Sequence, residues 1–211
     1  MPANRIHLVR HGEVYNPNRV LYEQLPNFHL SDKGKLMALA AAQELKSLKA
    51  PVKALFSSPL DRAQESAAPF EELFNLEIQT DQRLIEPTNA FKGKKMGVKN
   101  LALKPHLWWY FRNPARPSWG EPYKSIIARM KEAMVAAAES VSGGDVVLVT
   151  HQLPIWITHL VLQNEKLQHD PRKRRCSLSS ITTFEYVEGK FVELTYLEPA
   201  KNLTAIDSGA V

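Results

Sequence analysis

Cysteine is all but missing from this chain of 211 residues, with Cys176 standing alone. One thiol excludes an intrachain disulfide and suits a reducing compartment. No apolar run approaches the ~18 residues that a membrane-crossing helix needs. The opening stretch, MPANRIHLVRHG, has no apolar core of signal-peptide length before Arg10 interrupts it, so the expected location is the cytoplasm. No internal repeat, low-complexity tract or linker breaks the sequence, and residues 1–211 are expected to form a single domain. His7, His29, His106, His159 and His169 lack metal-ligand spacing and carry no assigned role.

What is present is the composition of a soluble globular protein, with 44% hydrophobic and 23% charged residues, enough of each for a real core and a wet surface. The net charge of +5 favours anionic partners in general. Much of it comes from PRKRRC (Pro171 to Cys176) and KGKK (Lys92 to Lys95). Both runs read equally well as solvated surface, so charge alone selects no function. The basic run lacks the interleaved aromatics of a single-strand nucleic-acid binder.

Short apolar runs alternate with helical patterns. Arg5–Val9, Lys53–Phe56 and Asp145–Thr150 read as strands. Ser31–Leu48 reads as a helix with Ser31 as its N-cap. SSPLDRAQESAAPFEELF reads as a second helix, capped by Ser58 with Pro59 at its first position. LPIWITHLVL has Pro154 in a helical first turn, and SWGE (Ser118 to Glu121) reads as a capping box. SSITTFEY and KFVELTYLE flank VEG as a closing hairpin or two adjacent strands. The fold class this predicts is α/β: three layers, α/β/α, with a mostly parallel open sheet and helices on both faces.

In such sheets ligands bind beyond the carboxyl ends of the strands. Arg10-His11-Gly12 follows the first strand, Arg62 lies just after the second, and Thr150-His151 follows the third. Two histidines and two arginines make a poor core but a good phosphate cage. Arginine grips phosphate oxygens through a planar fork and stays charged at physiological pH. A neutral imidazole can attack phosphorus and carry the phosphoryl group, and neighbouring guanidinium charges keep it neutral.

LVRHGE, SSPLDRAQESA and VLVTHQLPI, in that order, resemble the histidine phosphatase superfamily, also called the phosphoglycerate mutase-like family. LSDKG and the GEP at Gly120–Pro122 fit the same pattern, and the likeness spans roughly Ile6 to Leu203. The resemblance implies a phosphoglycerate mutase-like fold and no metal or organic cofactor. It makes His11 the nucleophile, with Arg10, Arg62, His151 and Asn16 around the phosphate. It implies that His151 also stabilises the transition state. It implies a carboxylate donor on the loop after the second helix, where Glu86 is the match and Glu13 the runner-up.

The chain departs from the family pattern in places. Tyr15-Asn16 stand where a Trp-Asn pair is usual, and Gln152 replaces a common glycine after the second histidine. Gln152 thereby becomes a candidate substrate contact. Lys92, Lys94 and Lys95 are candidates to meet a second anionic group, with solvated surface as the alternative. Trp108, Trp109 and Trp119 read as packing or as cover over a substrate loop.

The resulting expectation is a phosphomonoester hydrolase acting through phosphohistidine on a small phosphorylated metabolite, with neither nucleic acid nor membrane as partner. A phosphoglycerate mutase-type transferase using the same histidine is the alternative, and a non-catalytic binder of a phosphorylated ligand the third reading.

Overall fold

The runs Ile6–Val9 and Val146–Val149 are apolar at every position but His7, as expected for strands covered on both faces. In the computed structural model, which describes residues 2–88, 93, 120–170 and 173–203, they form the two central strands. The strands are β1 (Arg5–Arg10), β2 (Val52–Ser57), β3 (Ile78–Thr80), β4 (Asp145–Thr150), β5 (Ile181–Val187) and β6 (Lys190–Leu197). They lie in the order β3-β2-β4-β1-β5-β6. β1, β2, β3 and β4 run parallel, while β5 and β6 form an antiparallel hairpin against β1.

The helices are α1 (Asp32–Ser47), α2 (Asp61–Phe74), α3 (Tyr123–Glu139) and α4 (Gln152–Leu162). The two-residue alternation of β4 divides the core. Val146 and Leu148, with Ile6, Leu8 and Phe184, pack under Ile126, Met130 and Met134 of α3 and Ile155 and Leu160 of α4. Val147 and Val149, with Val9 and Leu55, pack under Ala41, Ala42 and Leu45 of α1 and Ala63, Ala67 and Phe70 of α2. Small alanines on α1 and α2 let those helices approach each other closely. The three-layer, mostly parallel architecture read from the sequence is the one observed. Among the described residues no helix is long and apolar enough to cross a membrane.

Two helix starts differ from expectation. α2 begins at Asp61, with extended Leu60 as its N-cap, so Pro59 lies outside the helix and Ser58 does not cap it. The Ser58 hydroxyl is instead paired with His151. Ser118 of the expected capping box lies outside the described residues, and α3 begins only at Tyr123 with Pro122 as N-cap. Glu121 therefore precedes the helix, where it accepts from Ser125 Oγ at 2.7 Å and pairs with Arg129 at 2.9 Å.

Register does the main work of positioning. Arg10 is level with Thr150 across the β1–β4 pair, so the next residue of each strand, His11 and His151, emerges side by side. Ser57 is level with Val149, which brings Ser58 to the same edge.

Candidate active site

Two glycines shape the turn that carries His11. A Cβ on Gly12 would lie 2.3 Å from the carbonyl oxygen of Gly34, and one on Gly34 would lie 2.0 Å from that of Glu13. The backbones of the RHG and LSDKG motifs thus touch, and no side chain fits between them. Around this contact the Ser31 hydroxyl donates to Glu13 Oε1 at 2.6 Å and accepts from Gly34 N at 3.0 Å. Gly12 N donates to Ser66 Oγ at 3.0 Å, and that hydroxyl donates on to Arg62 O at 2.7 Å.

His11 is buried and held in one tautomer. Its Nδ1 lies 2.8 Å from Gly12 O, an acceptor only, so Nδ1 carries the proton and Nε2 the lone pair. Arg62 Nε donates to that Nε2 at 3.3 Å. Burial, then the charges of Arg62 and Arg10, hold the imidazole well below the ordinary histidine pKa, against the pull of Gly12 O.

The two arginines are each 1% exposed, which makes their charge expensive unless an anion meets it. Arg62 Nη2 donates to Glu23 O at 2.5 Å, and its guanidinium lies 4.7 Å from the Tyr22 ring centroid. Among the described residues its hydrogen-bond partners are neutral. Arg10 Nη1 donates to Cys176 O at 2.6 Å, tying the segment before β5 to the site.

His151 is fully buried, its ring centroid 5.1 Å from that of His11. Its Nε2 is 2.8 Å from Ser58 Oγ, and its buried Nδ1 makes no hydrogen bond among the described residues. Burial, with Arg62 and His11 next, lowers its pKa well below the ordinary value. Glu86 Oε2 lies 3.7 Å from that Nδ1. Burial raises the Glu86 carboxyl above the ordinary range, opposed by Arg62, Arg174, Arg10 and Arg129. Thr150 Oγ1 donates to Leu84 O at 2.6 Å and Gln24 Nε2 to Glu86 O at 2.5 Å, which together hold the Glu86 segment over the strand ends.

Arg10, His11, Arg62, His151 and Glu86 are therefore gathered together. The Glu13 carboxylate is engaged with Ser31. Asn16 closes its own loop, donating from Nδ2 to Val20 O at 2.9 Å and accepting from Val20 N at 3.2 Å. Gln152 opens α4 beside His151. Lys92, Lys94, Lys95 and the three tryptophans Trp108, Trp109 and Trp119 lie outside the described residues.

Reading the basic run as solvated surface is only partly right. Arg175 pairs with Glu193, while Arg174 turns inward and donates from Nη1 to Gln152 Oε1 at 3.1 Å. Nothing in the spacing of RKRR distinguishes the inward arginine from its neighbours. Ser58 as the partner of His151 is likewise invisible in the sequence, because SSP also fits a helix cap. Among the described residues no group of three or more His, Cys, Asp or Glu could hold a metal ion.

The model of the histidine phosphatase superfamily (branch 1) matches residues 6–198, and the chain belongs to that family. It is 45% identical over 197 residues to an uncharacterized protein of Mycobacterium tuberculosis, covering 93% of this chain and 96% of that one. It is 34% identical over 151 residues to a 2,3-bisphosphoglycerate-dependent phosphoglycerate mutase of Thermoplasma acidophilum, covering 70% of each. Among solved structures, Bacillus stearothermophilus YhfR matches with a TM-score of 0.76 at 23% identity, over 90% of this chain and 95% of that one. A mycobacterial glucosyl-3-phosphoglycerate phosphatase matches with a TM-score of 0.71 at 23% identity, over 91% and 97%. The fold is the phosphoglycerate mutase-like α/β fold.

Proposed function

We propose that this chain is a cytoplasmic phosphomonoester hydrolase that acts on a small phosphorylated metabolite through a phosphohistidine at His11 Nε2, without metal or organic cofactor. The observation that carries the reading is the lock on His11: Gly12 O fixes the proton on Nδ1, so the lone pair of Nε2 faces the two-arginine cup. A buried imidazole held neutral there is a ready nucleophile.

In the first half-reaction Nε2 attacks phosphorus and the P–O ester bond breaks. The leaving oxygen takes its pair of electrons and the proton of Glu86, whose raised pKa keeps that proton available. Arg10 and Arg62 grip the non-bridging oxygens, and with the Ser58 hydroxyl donating a hydrogen bond to His151 Nε2 the ring proton sits on Nδ1, which becomes a further donor. In the second half-reaction the Glu86 carboxylate takes a proton from water, the resulting oxygen attacks phosphorus, and the P–N bond breaks with its pair returning to Nε2.

The test is a panel of phosphomonoesters turned over by wild type and H11A, with alkaline denaturing quench of a reaction on radiolabelled substrate. Wild type should release phosphate and trap an acid-labile, base-stable phosphoryl adduct that H11A lacks. Full turnover by H11A overturns the covalent route. The 34% identity to a phosphoglycerate mutase favours a second reading, in which the phosphoryl group returns to a bound glycerate instead of water. Isomerised product from 3-phosphoglycerate, exceeding released phosphate, would select it.

A further inference from the structure

We infer that Arg174 and the side-chain amide of Gln152 form a second subsite beside the phosphate cup, one that takes a carboxylate of the substrate. The inference rests on the phosphomonoester reading and narrows it to esters that carry a carboxylate near the phosphate.

The placement comes first. Gln152 directly follows His151, and Arg174 Nη1 reaches its Oε1 at 3.1 Å. Two residues beyond Arg174, Cys176 O accepts from Arg10 Nη1 at 2.6 Å. Arg174 is thus strung between the anchor of one phosphate-cup arginine and the neighbour of the second histidine.

Its orientation is fixed. His169 Nδ1 lies 2.8 Å from Leu167 O, so that nitrogen holds the proton and Nε2 is an acceptor. Arg174 Nε donates to it at 3.0 Å. The Trp156 ring, 5.9 Å from the imidazole centroid, packs edge-on against it.

The charge balance is unusual. Arg83, Arg129 and Arg175 each pair with a carboxylate, on Asp81, Glu121 and Glu193 respectively. Arg174 is partly buried, yet both its hydrogen-bond partners are neutral. Arg62 has the same pattern, and in the proposed reaction it grips the phosphate. A guanidinium withdrawn from water and left without a counter-anion is costly in the empty protein and is repaid when an anion arrives.

The remaining donors suit a carboxylate. With Oε1 of Gln152 accepting, its Nε2 hydrogens point elsewhere, and among the described residues neither they nor Arg174 Nη2 make a hydrogen bond. One cation and one amide match a planar monoanion. A second phosphate dianion would bring twice the charge of a carboxylate toward Glu86, which couples to Arg174 and must give up its proton in the first half-reaction.

The experiment compares kcat/KM for 3-phosphoglycerate with that for glycerol 3-phosphate, which differs by a hydroxymethyl group in place of the carboxylate. Phosphoserine and phosphoethanolamine make a second pair. Wild type should prefer the carboxylated member, and R174Q should shrink that preference on the order of ten- to a hundredfold, with R174K restoring part of it. An unchanged preference in R174Q, or an equal loss on both members of each pair, overturns the subsite. Q152A, expected to weaken the preference in the same direction, keeps the test alive if R174Q fails to fold. Calorimetric binding of the same pairs separates the two readings. An Arg174-dependent preference in binding without turnover sinks the hydrolase and keeps the subsite, while turnover of both esters without preference does the reverse.

Discussion

Arg62 Nε donates to His11 Nε2 across 3.3 Å, so the guanidinium guards the very nitrogen whose lone pair would attack phosphorus. The contact joins two functions, since the same charge also holds the imidazole neutral. An incoming phosphate oxygen can draw Arg62 away and expose Nε2 in one movement.

R62A should therefore do more than weaken phosphate binding. Removing the charge lets the His11 pKa rise, and because the reactive form is the neutral one, the acidic limb of the kcat/KM profile should move to higher pH. R62K keeps the charge but loses the fork, so its limb should stay nearer wild type while kcat/KM falls on the order of a hundredfold or more. A pH–rate profile of both variants checks this.

Leaving-group chemistry tests Glu86. Its protonated form, favoured by burial, is the one that donates, so turnover of alkyl phosphates should decline as pH rises through its raised pKa. E86Q should abolish that limb and cost about 10²- to 10⁴-fold in kcat/KM, which reports the first half-reaction alone, on an alkyl phosphate. An aryl phosphate such as p-nitrophenyl phosphate departs without a proton and should lose far less. Equal losses on both would point to a structural role for the carboxyl.

Stability should follow the two buried histidines. His11 and His151 have folded-state pKa values below the ordinary one, so under mildly acidic conditions the unfolded chain binds more protons than the folded one. The stability present above about pH 6.5 is then lost as the pH falls toward the folded-state values. The Tm should drop on acidification through that window, and a variant carrying H11N and H151N should show a shallower drop. Calorimetry over a pH series gives both slopes.

The glycine contact predicts a backbone effect. G34A would place a methyl group 2.0 Å from Glu13 O, where only main chain can give way. A loss of about 2–4 kcal/mol is expected by denaturant titration, together with reduced turnover because the displaced strand end carries His11. G143A is the control, since nothing lies within 4 Å of its added Cβ; only the strain of its φ of +67° should register.

Much of this is legible in the sequence. The β-branched run of β4, the Ser31 cap of the Ala- and Leu-rich α1 and the single apolar face of α2 are plain in the sequence, and the four-residue cage lies at strand ends that a parallel sheet gathers. The misses have local causes. β3 is only Ile78–Thr80, too short to show a period. Ser58 and Glu121 sit in stretches that favour helix starts, yet His151 and Arg129 take their side chains. Arg174 is masked by the basic residues around it, because a charge run records composition and not which side chain turns inward.

The solitary thiol offers a way to watch the site. Cys176 is buried and its pKa is pushed up to about 11, chiefly by burial, so at neutral pH it is both hidden and protonated. Its own carbonyl is what Arg10 grips. Alkylation of the buried sulfur requires this segment to open, and its rate is expected to rise as that grip loosens, which would make labelling a clock for the cup. An anion that draws Arg10 tight should slow the clock; one that pulls Arg10 off the carbonyl should speed it.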